Sequence, residues 1–130
     1  MVPDAVTKIM TRLAARIEQS MQRLPASTYR LQFHSGFTFR DAREIVPYLH
    51  DLGITHCYAS PYLKSRASST HGYDIADHRQ LNEQIGSEAD FNAWVDALHA
   101  HEMGHILDMV PNHMGVMGNE NPWRNDVLEN

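Results

Sequence analysis

The sequence predicts an α/β fold built on a parallel sheet. Apolar runs of strand length alternate with amphipathic stretches of helical period, the pattern of successive βαβ crossovers. Two of the helical stretches end near a glycine, Gly53 and Gly104, and an apolar run follows each at once. LHDLGITHCY and LHAHEMGHILDMV therefore echo one another in pattern, though weakly in letters.

Residues 3 to 24 read as a helix. Pro3 suits its first turn, and Val6, Ile9, Met10, Leu13, Ile17 and Leu24 fall near one face. Lys8, Arg12 and Arg16 lie on the other side, as on a packed helix with a solvated charged face. Pro25 ends it. Tyr29 to Phe33 (YRLQF) alternates at strand period. After the break His34-Ser35-Gly36, Thr38-Phe39-Arg40-Asp41 is a capping box that opens a second helix. Ala42, Ile45, Val46, Leu49 and Leu52 should face inward on it, with Pro47 kinking or restarting it and Gly53 stopping it.

Ile54 to Ala59 (ITHCYA) is the next strand, closed by Ser60-Pro61. Tyr62 to Gly86 has little regular pattern and reads as a long functional connection, too rich in aromatic and charged residues for disorder. Ser87-Glu88-Ala89-Asp90 is a further capping box. The helix behind it should bury Phe91, Trp94, Val95 and Leu98, and Gly104 should end it.

In His105–Met114 (HILDMVPNHM), Ile106, Leu107, Met109 and Val110 suit a strand buried on both faces. Pro111 cannot donate to a ladder and should stop it, leaving Asn112 and His113 at a strand's carboxyl end. That is where α/β folds bind ligands. Asp108, inside the run, costs several kcal/mol unless something pairs with it. It is either a core aspartate bonded to backbone or part of a site. Met114 to Asn130 is rich in Gly and Asn, with Pro122-Trp123 as its anchor.

Composition narrows the function. The 130 residues, 42% hydrophobic, suffice for one modest core. A net charge of −5 with scattered Lys and Arg argues against nucleic acid. The single cysteine, Cys57, excludes a disulfide framework and fits a reducing, cytoplasmic setting. No apolar run approaches the roughly 20 residues of a membrane span, and no secretory h-region is visible. His101 and His105 are four apart, but Gly104 breaks the helix that would align them, so no zinc centre is expected.

Loops that follow parallel strands share one rim. His34–Thr38, Ser60–Gly86 and the chain from Pro111 onward would bring His71, Tyr73, Asp74, Asn112 and His113 to one mouth. Aromatic rings stack on the apolar faces of sugars, while His, Asn and Asp bond hydroxyls. With no Gly-rich phosphate loop and no basic cluster, a carbohydrate pocket fits better than a phosphate one. Asp74 and Asp77 are also open to a turn-forming role.

STHGYDIADHRQLNEQIGSEADF followed by HILDMVPNHM resembles the early part of the α-amylase superfamily of (β/α)8-barrel enzymes. DMVPNH is similar to its first conserved region. Within it, TYRLQFHSGFTFRDAREIVPYLHDLGITHCYASPYL and ENPWRNDVLEN are similar to the maltooligosyltrehalose synthases, which are glucan 1-α-glucosylmutases. The resemblance covers about Ser27 to Asn130. It implies the N-terminal part of a (β/α)8 TIM barrel, about three βα units, preceded by an N-terminal helix. Residues 1–26 would be the helical extension and 27–130 the opening portion of the barrel.

The activity implied is conversion of the reducing-end α-1,4 linkage of maltooligosaccharides to α-1,1, a step of trehalose biosynthesis. The partners implied are a maltooligosaccharide or other α-1,4-glucan substrate and, functionally, a trehalose-releasing hydrolase. No cofactor and no metal are expected. By the same resemblance, Tyr73 matches the aromatic that stacks under the sugar where the bond is broken, and His71 lines that pocket. His113 matches the histidine that binds a hydroxyl of that sugar, Asp74 is a further substrate contact, and Asp108 braces the pocket from behind. Asn112 matches a position that ligates calcium in many amylases, and here is expected to brace its loop.

The nucleophile and general acid of such enzymes stand about 5 Å apart. In this family they come from the fourth and fifth strands, with a further Asp from the seventh, and a whole barrel needs roughly 250 residues. The catalytic pair is therefore expected beyond Asn130, and residues 1–130 alone are expected to be inactive and prone to aggregate through open sheet edges. Alternatives are another α-amylase-superfamily glucan hydrolase or transglycosidase fragment, or a non-catalytic maltooligosaccharide-binding remnant.

Overall fold

A computed structural model describes residues 3–21, 24–67 and 69–129. After helix α1 (Pro3–Met21), strands β1 (Thr28–Leu31), β2 (His56–Ala59) and β5 (Gly104–Leu107) form a parallel sheet in the order β1-β2-β5. Helices α2 (Phe39–Glu44) and α3 (Val46–Asp51) connect β1 to β2. Between β2 and β5 come an antiparallel hairpin, β3 (Leu63–Ser65) and β4 (Ile75–Leu81), and then helix α4 (Glu88–Ala100). Helix α5 (Pro122–Glu129) closes the described chain. The parallel sheet with its helical crossovers is the α/β architecture that the alternation of apolar runs and amphipathic helices predicts.

Both capping boxes form. The Asp41 carboxylate accepts from the Thr38 backbone N–H at 2.7 Å, and the Asp90 carboxylate from the Ser87 N–H at 3.0 Å, so each helix starts with its first donors satisfied. Pro47 marks a restart: α2 ends at Glu44, Ile45 caps both helices, and Pro47 sits in the first turn of α3, where its missing N–H costs nothing. Gly53, with φ of 84°, stops α3.

The core lies between the sheet and these helices. Leu31, Phe33, Phe39, Val46, Leu49 and Cys57 are buried there with Trp94 and Leu98 of α4. The rings interlock: Phe33 meets Trp94 at 5.3 Å and 69°, and Phe39 stacks on Trp94 at 5.9 Å and 18°. Burial pushes the Cys57 thiol up to about 11, which leaves it a core residue rather than a nucleophile.

Several expectations are corrected. The apolar residues of α1 are not buried: Val6, Ile9, Met10, Leu13 and Ile17 are all exposed. The predicted end of that helix includes Gln22 and Arg23, which lie outside the described residues. Leu52 is exposed, beyond the last turn of α3. The supposedly unpatterned connection holds the β3–β4 hairpin, whose register shifts break the alternation that reveals a strand. Gly104 does not cap α4. Glu102 takes the left-handed conformation there, with φ of 55°, and Gly104 starts β5 where any Cβ would strike the His56 ring.

The β5 strand also ends earlier than Pro111. It stops at Leu107, and all four of its residues are half-buried rather than enclosed on both faces, since β5 pairs on one side only. Asp108 extends the ladder by one bond, its N–H donating to the Ala59 carbonyl at 3.0 Å. The carboxylate therefore stands at the strand's end, partly exposed, and hydrogen bonds from Tyr73 and Arg30 offset the cost of its remaining burial. Trp123 is half exposed but lies under the Arg79 guanidinium, which is 5.6 Å from the ring centroid, and buried Asn121 anchors the C-terminal segment as well. The Asn121 amide donates to the Gly115 carbonyl while its oxygen accepts from Trp123 and Arg124 N–H groups.

Candidate functional site

Strand pairing puts Arg30, Tyr58 and Ile106 side by side, so their side chains share the sheet face opposite the helices. Two residues on, Asp108 joins the same face. The Arg30 guanidinium lies over the Tyr58 ring at 4.9 Å. The loop between β3 and β4 brings Tyr73 onto this row. Gly72 makes that approach possible, because with φ of 78° its backbone lies against the Pro61 carbonyl, leaving no room for a side chain.

The polar heads then close a triangle. The Tyr73 hydroxyl donates to Asp108 Oδ2 at 2.5 Å, Arg30 Nη2 donates to the Tyr73 oxygen at 2.8 Å, and Arg30 Nη1 donates to Asp108 Oδ2 at 3.2 Å. The hydrogen bond from Tyr73 holds the Asp108 carboxyl below its ordinary range, and the same bond pushes the Tyr73 phenol up. At neutral pH the group is thus a carboxylate, a phenol and a guanidinium. His71 is exposed beside it, its ring centroid 6.0 Å from that of Tyr73 and its Nδ1 accepting from the Tyr73 N–H. Gln32, one residue past β1, ties in by accepting from Arg30 and donating to the His71 carbonyl, both at 3.4 Å.

Of the residues singled out from sequence, Tyr73, His71 and Asp108 come together. Asp74 is half-buried and set apart: its carbonyl accepts from Arg66 N–H at 3.2 Å and it packs against Gly115. Asn112 and His113 are exposed and stand outside the triangle. Their loop is held by other groups, His78 Nε2 donating to the Val110 carbonyl at 3.1 Å and Gly115 N–H to Ile75 at 2.7 Å. Asp77 does take an Asx-type role, accepting from the Arg79 N–H. Its side-chain bonds to the Arg79 guanidinium hold its carboxyl down at about 2.

Arg30 is the member that sequence reasoning missed. Its signal was the polar phase of YRLQF, which places Arg30 and Gln32 opposite the buried Leu31 and Phe33. Cavity size points elsewhere: a cleft of about 550 Å³ lies between the end of β4 and the start of α4, lined by Arg79, Leu81, Glu88 and Phe91. None of the triangle residues lines it. The triangle instead joins β1, the end of β5 and the β3–β4 loop through charge-assisted bonds on the sheet face away from the helices. Among the described residues no group of three or more His, Cys, Asp or Glu is placed to hold a metal ion.

The sequence profile described as "Alpha amylase, catalytic domain" matches residues 41–130. This chain belongs to the alpha-amylase family. Among family members, a putative maltooligosyl trehalose synthase of Mycobacterium tuberculosis is 40% identical over 109 residues, covering 79% of this chain and 14% of that protein. The structure of maltooligosyltrehalose synthase from Arthrobacter ramosus is 47% identical, with a TM-score of 0.77 over 80% of this chain and 14% of that one. An alpha-amylase from Geobacillus thermoleovorans, complexed with acarbose, is 24% identical with a TM-score of 0.71, a likeness of fold. The chain thus spans about 14% of the length of the synthases it matches. No described helix is long and apolar enough to cross a membrane.

Proposed function

We propose that this chain is the opening portion of a glucan 1-α-glucosylmutase of the maltooligosyltrehalose synthase type. Residues 27–130 contribute the first strands of its barrel and residues 1–26 a helical extension. The similarity of 40–47% to such synthases carries this reading. Its substrate is a maltooligosaccharide, whose reducing-end α-1,4 linkage is converted to α-1,1, and its product would pass to a trehalose-releasing hydrolase.

In this reading Tyr73 is the stacking platform for a glucose ring. The bonds from its hydroxyl to Asp108 and Arg30 pin the edge of the phenol and so fix its plane, leaving a face for the sugar. His71 and His113 supply hydroxyl contacts from the two loops, with Asp74 bracing the base of the hairpin loop through its carbonyl. Asp108 acts through Tyr73 rather than on the reacting bond. The carboxylates that would break that bond are not among these residues, so residues 1–130 alone should bind but not convert.

Calorimetric titration of maltopentaose into the chain tests this. Saturable binding is expected, weakened about tenfold or more by Tyr73→Ala, with no trehalose-capped product formed. Binding indifferent to Tyr73→Ala, or absent altogether, overturns the assignment of this surface.

A further inference from the structure

Away from the sugar-facing side, two histidines meet on the outer helical layer. His50 lies in the last turn of α3 and His101 caps the C-terminus of α4, with ring centroids 5.4 Å apart and planes at 63°. Each ring has its Nδ1 engaged. His101 Nδ1 lies 2.8 Å from the Ala97 carbonyl oxygen. A carbonyl only accepts, so Nδ1 is the donor here, and in the neutral ring Nε2 is the nitrogen with the lone pair. His50 Nδ1 faces the Asp51 carboxylate at 3.5 Å, which favours the same tautomer.

Donation from the far ring nitrogen to a carbonyl or carboxylate is how metal-ligating imidazoles are oriented. The spacing also fits. With metal–nitrogen bonds of about 2.0–2.1 Å and tetrahedral angles, two imidazoles on one ion hold their centroids roughly 5 Å apart. The C-terminal carbonyls of α4 add partial negative charge beside His101, which favours a cation. His50 is exposed and His101 half-buried, so an ion can reach both.

We propose that His50 and His101 form a two-histidine site for a borderline divalent transition-metal ion such as Zn²⁺, with water completing its coordination. Neither residue belongs to the Arg30–Tyr73–Asp108 surface. The site differs from the His101/His105 pair considered from sequence, because His105 turns inward and packs its ring 4.7 Å from that of Trp94. An ion bound here joins the end of α3 to the end of α4 and stabilises the folded state by linkage.

Zn²⁺ titrated calorimetrically into the 130-residue chain, with melting curves at zero and saturating Zn²⁺, tests the site. One saturable event is expected, weakened about tenfold or more in both His50→Ala and His101→Ala. His99→Ala, an exposed neighbour on α4, should bind as the parent does. The Zn²⁺-dependent rise in Tm should vanish in the two site variants, and Mg²⁺, which prefers oxygen ligands, should give neither effect. If His50→Ala unfolds, as judged by circular dichroism, His50→Gln keeps the bulk without the imidazole and should show the same loss. Absence of saturable Zn²⁺ binding, or binding that survives both site substitutions, overturns the proposal.

Discussion

On the helix-covered side of the sheet, Leu31, Cys57 and Ala59 are buried beneath an interlocked set of rings from Phe33, Phe39 and Trp94. On the other side, one residue along each strand, Arg30 and Tyr58 lead to Asp108 and Tyr73, and the contacts are charged hydrogen bonds at a half-open surface. The two faces come from the same strands and differ only in phase. The apolar face excludes water and supplies stability. The polar face is held by an ion pair and hydrogen bonds at a half-open surface, which add little stability.

The strongest way to break this contrast is at Trp94, which is fully buried. Trp94→Ala should cost about 3–5 kcal/mol in urea unfolding, through lost burial and a residual cavity. A cost well under 1 kcal/mol would mean the ring cluster is not the core. On the opposite face, Asp108→Ala leaves the Tyr73 hydroxyl and Arg30 without their shared acceptor. It should cost about 1–3 kcal/mol at most, and less if water replaces the carboxylate. Its larger effect should be on maltopentaose affinity, since the Tyr73 ring is then free to turn. Equal binding by Asp108→Ala and the parent chain would remove Asp108 from the positioning role.

Acid should take the two faces apart in order. Burial holds His105 below its ordinary value of 6.5, so the folded state favours the neutral ring and the unfolded chain takes up a proton first. That contribution is whole above about pH 6.5 and falls away as the pH drops through the lowered folded value. The bond from Tyr73 holds Asp108 below 3.8, so its contribution is whole above that pH and is lost only further into acid. Unfolding midpoints measured from pH 7.5 downward in the parent, His105→Gln and Asp108→Asn should show the first loss absent from His105→Gln alone. A parent whose stability is flat down to pH 4 would contradict the placement of His105 on the dry face.

Local chemistry determined much of this protein. Both capping boxes, the restart at Pro47, the stop at Gly53 and the alternation of strands with helices follow from side chains acting on their own backbone within a few residues. Those interactions are complete in the sequence. The family could also be read there, in DMVPNH and the stretches around it. The hairpin could not, because Ile75, Ala76 and Asp77 are buried in succession where a regular strand would alternate. Nor could the cap at Glu102, which adopts a left-handed conformation that no local preference of glutamate supplies.

The site was legible in part. Tyr73, His71 and Asp108 carry chemistry that names itself in sequence, whereas Arg30 looks like the solvent phase of a strand until β2 is laid beside it. Its two partners are 43 and 78 residues away. Contacts across such separations depend on strand register and on where the loop at Gly72 is pressed. Those are set by packing of the whole sheet against its helices, and only the tertiary structure decided them.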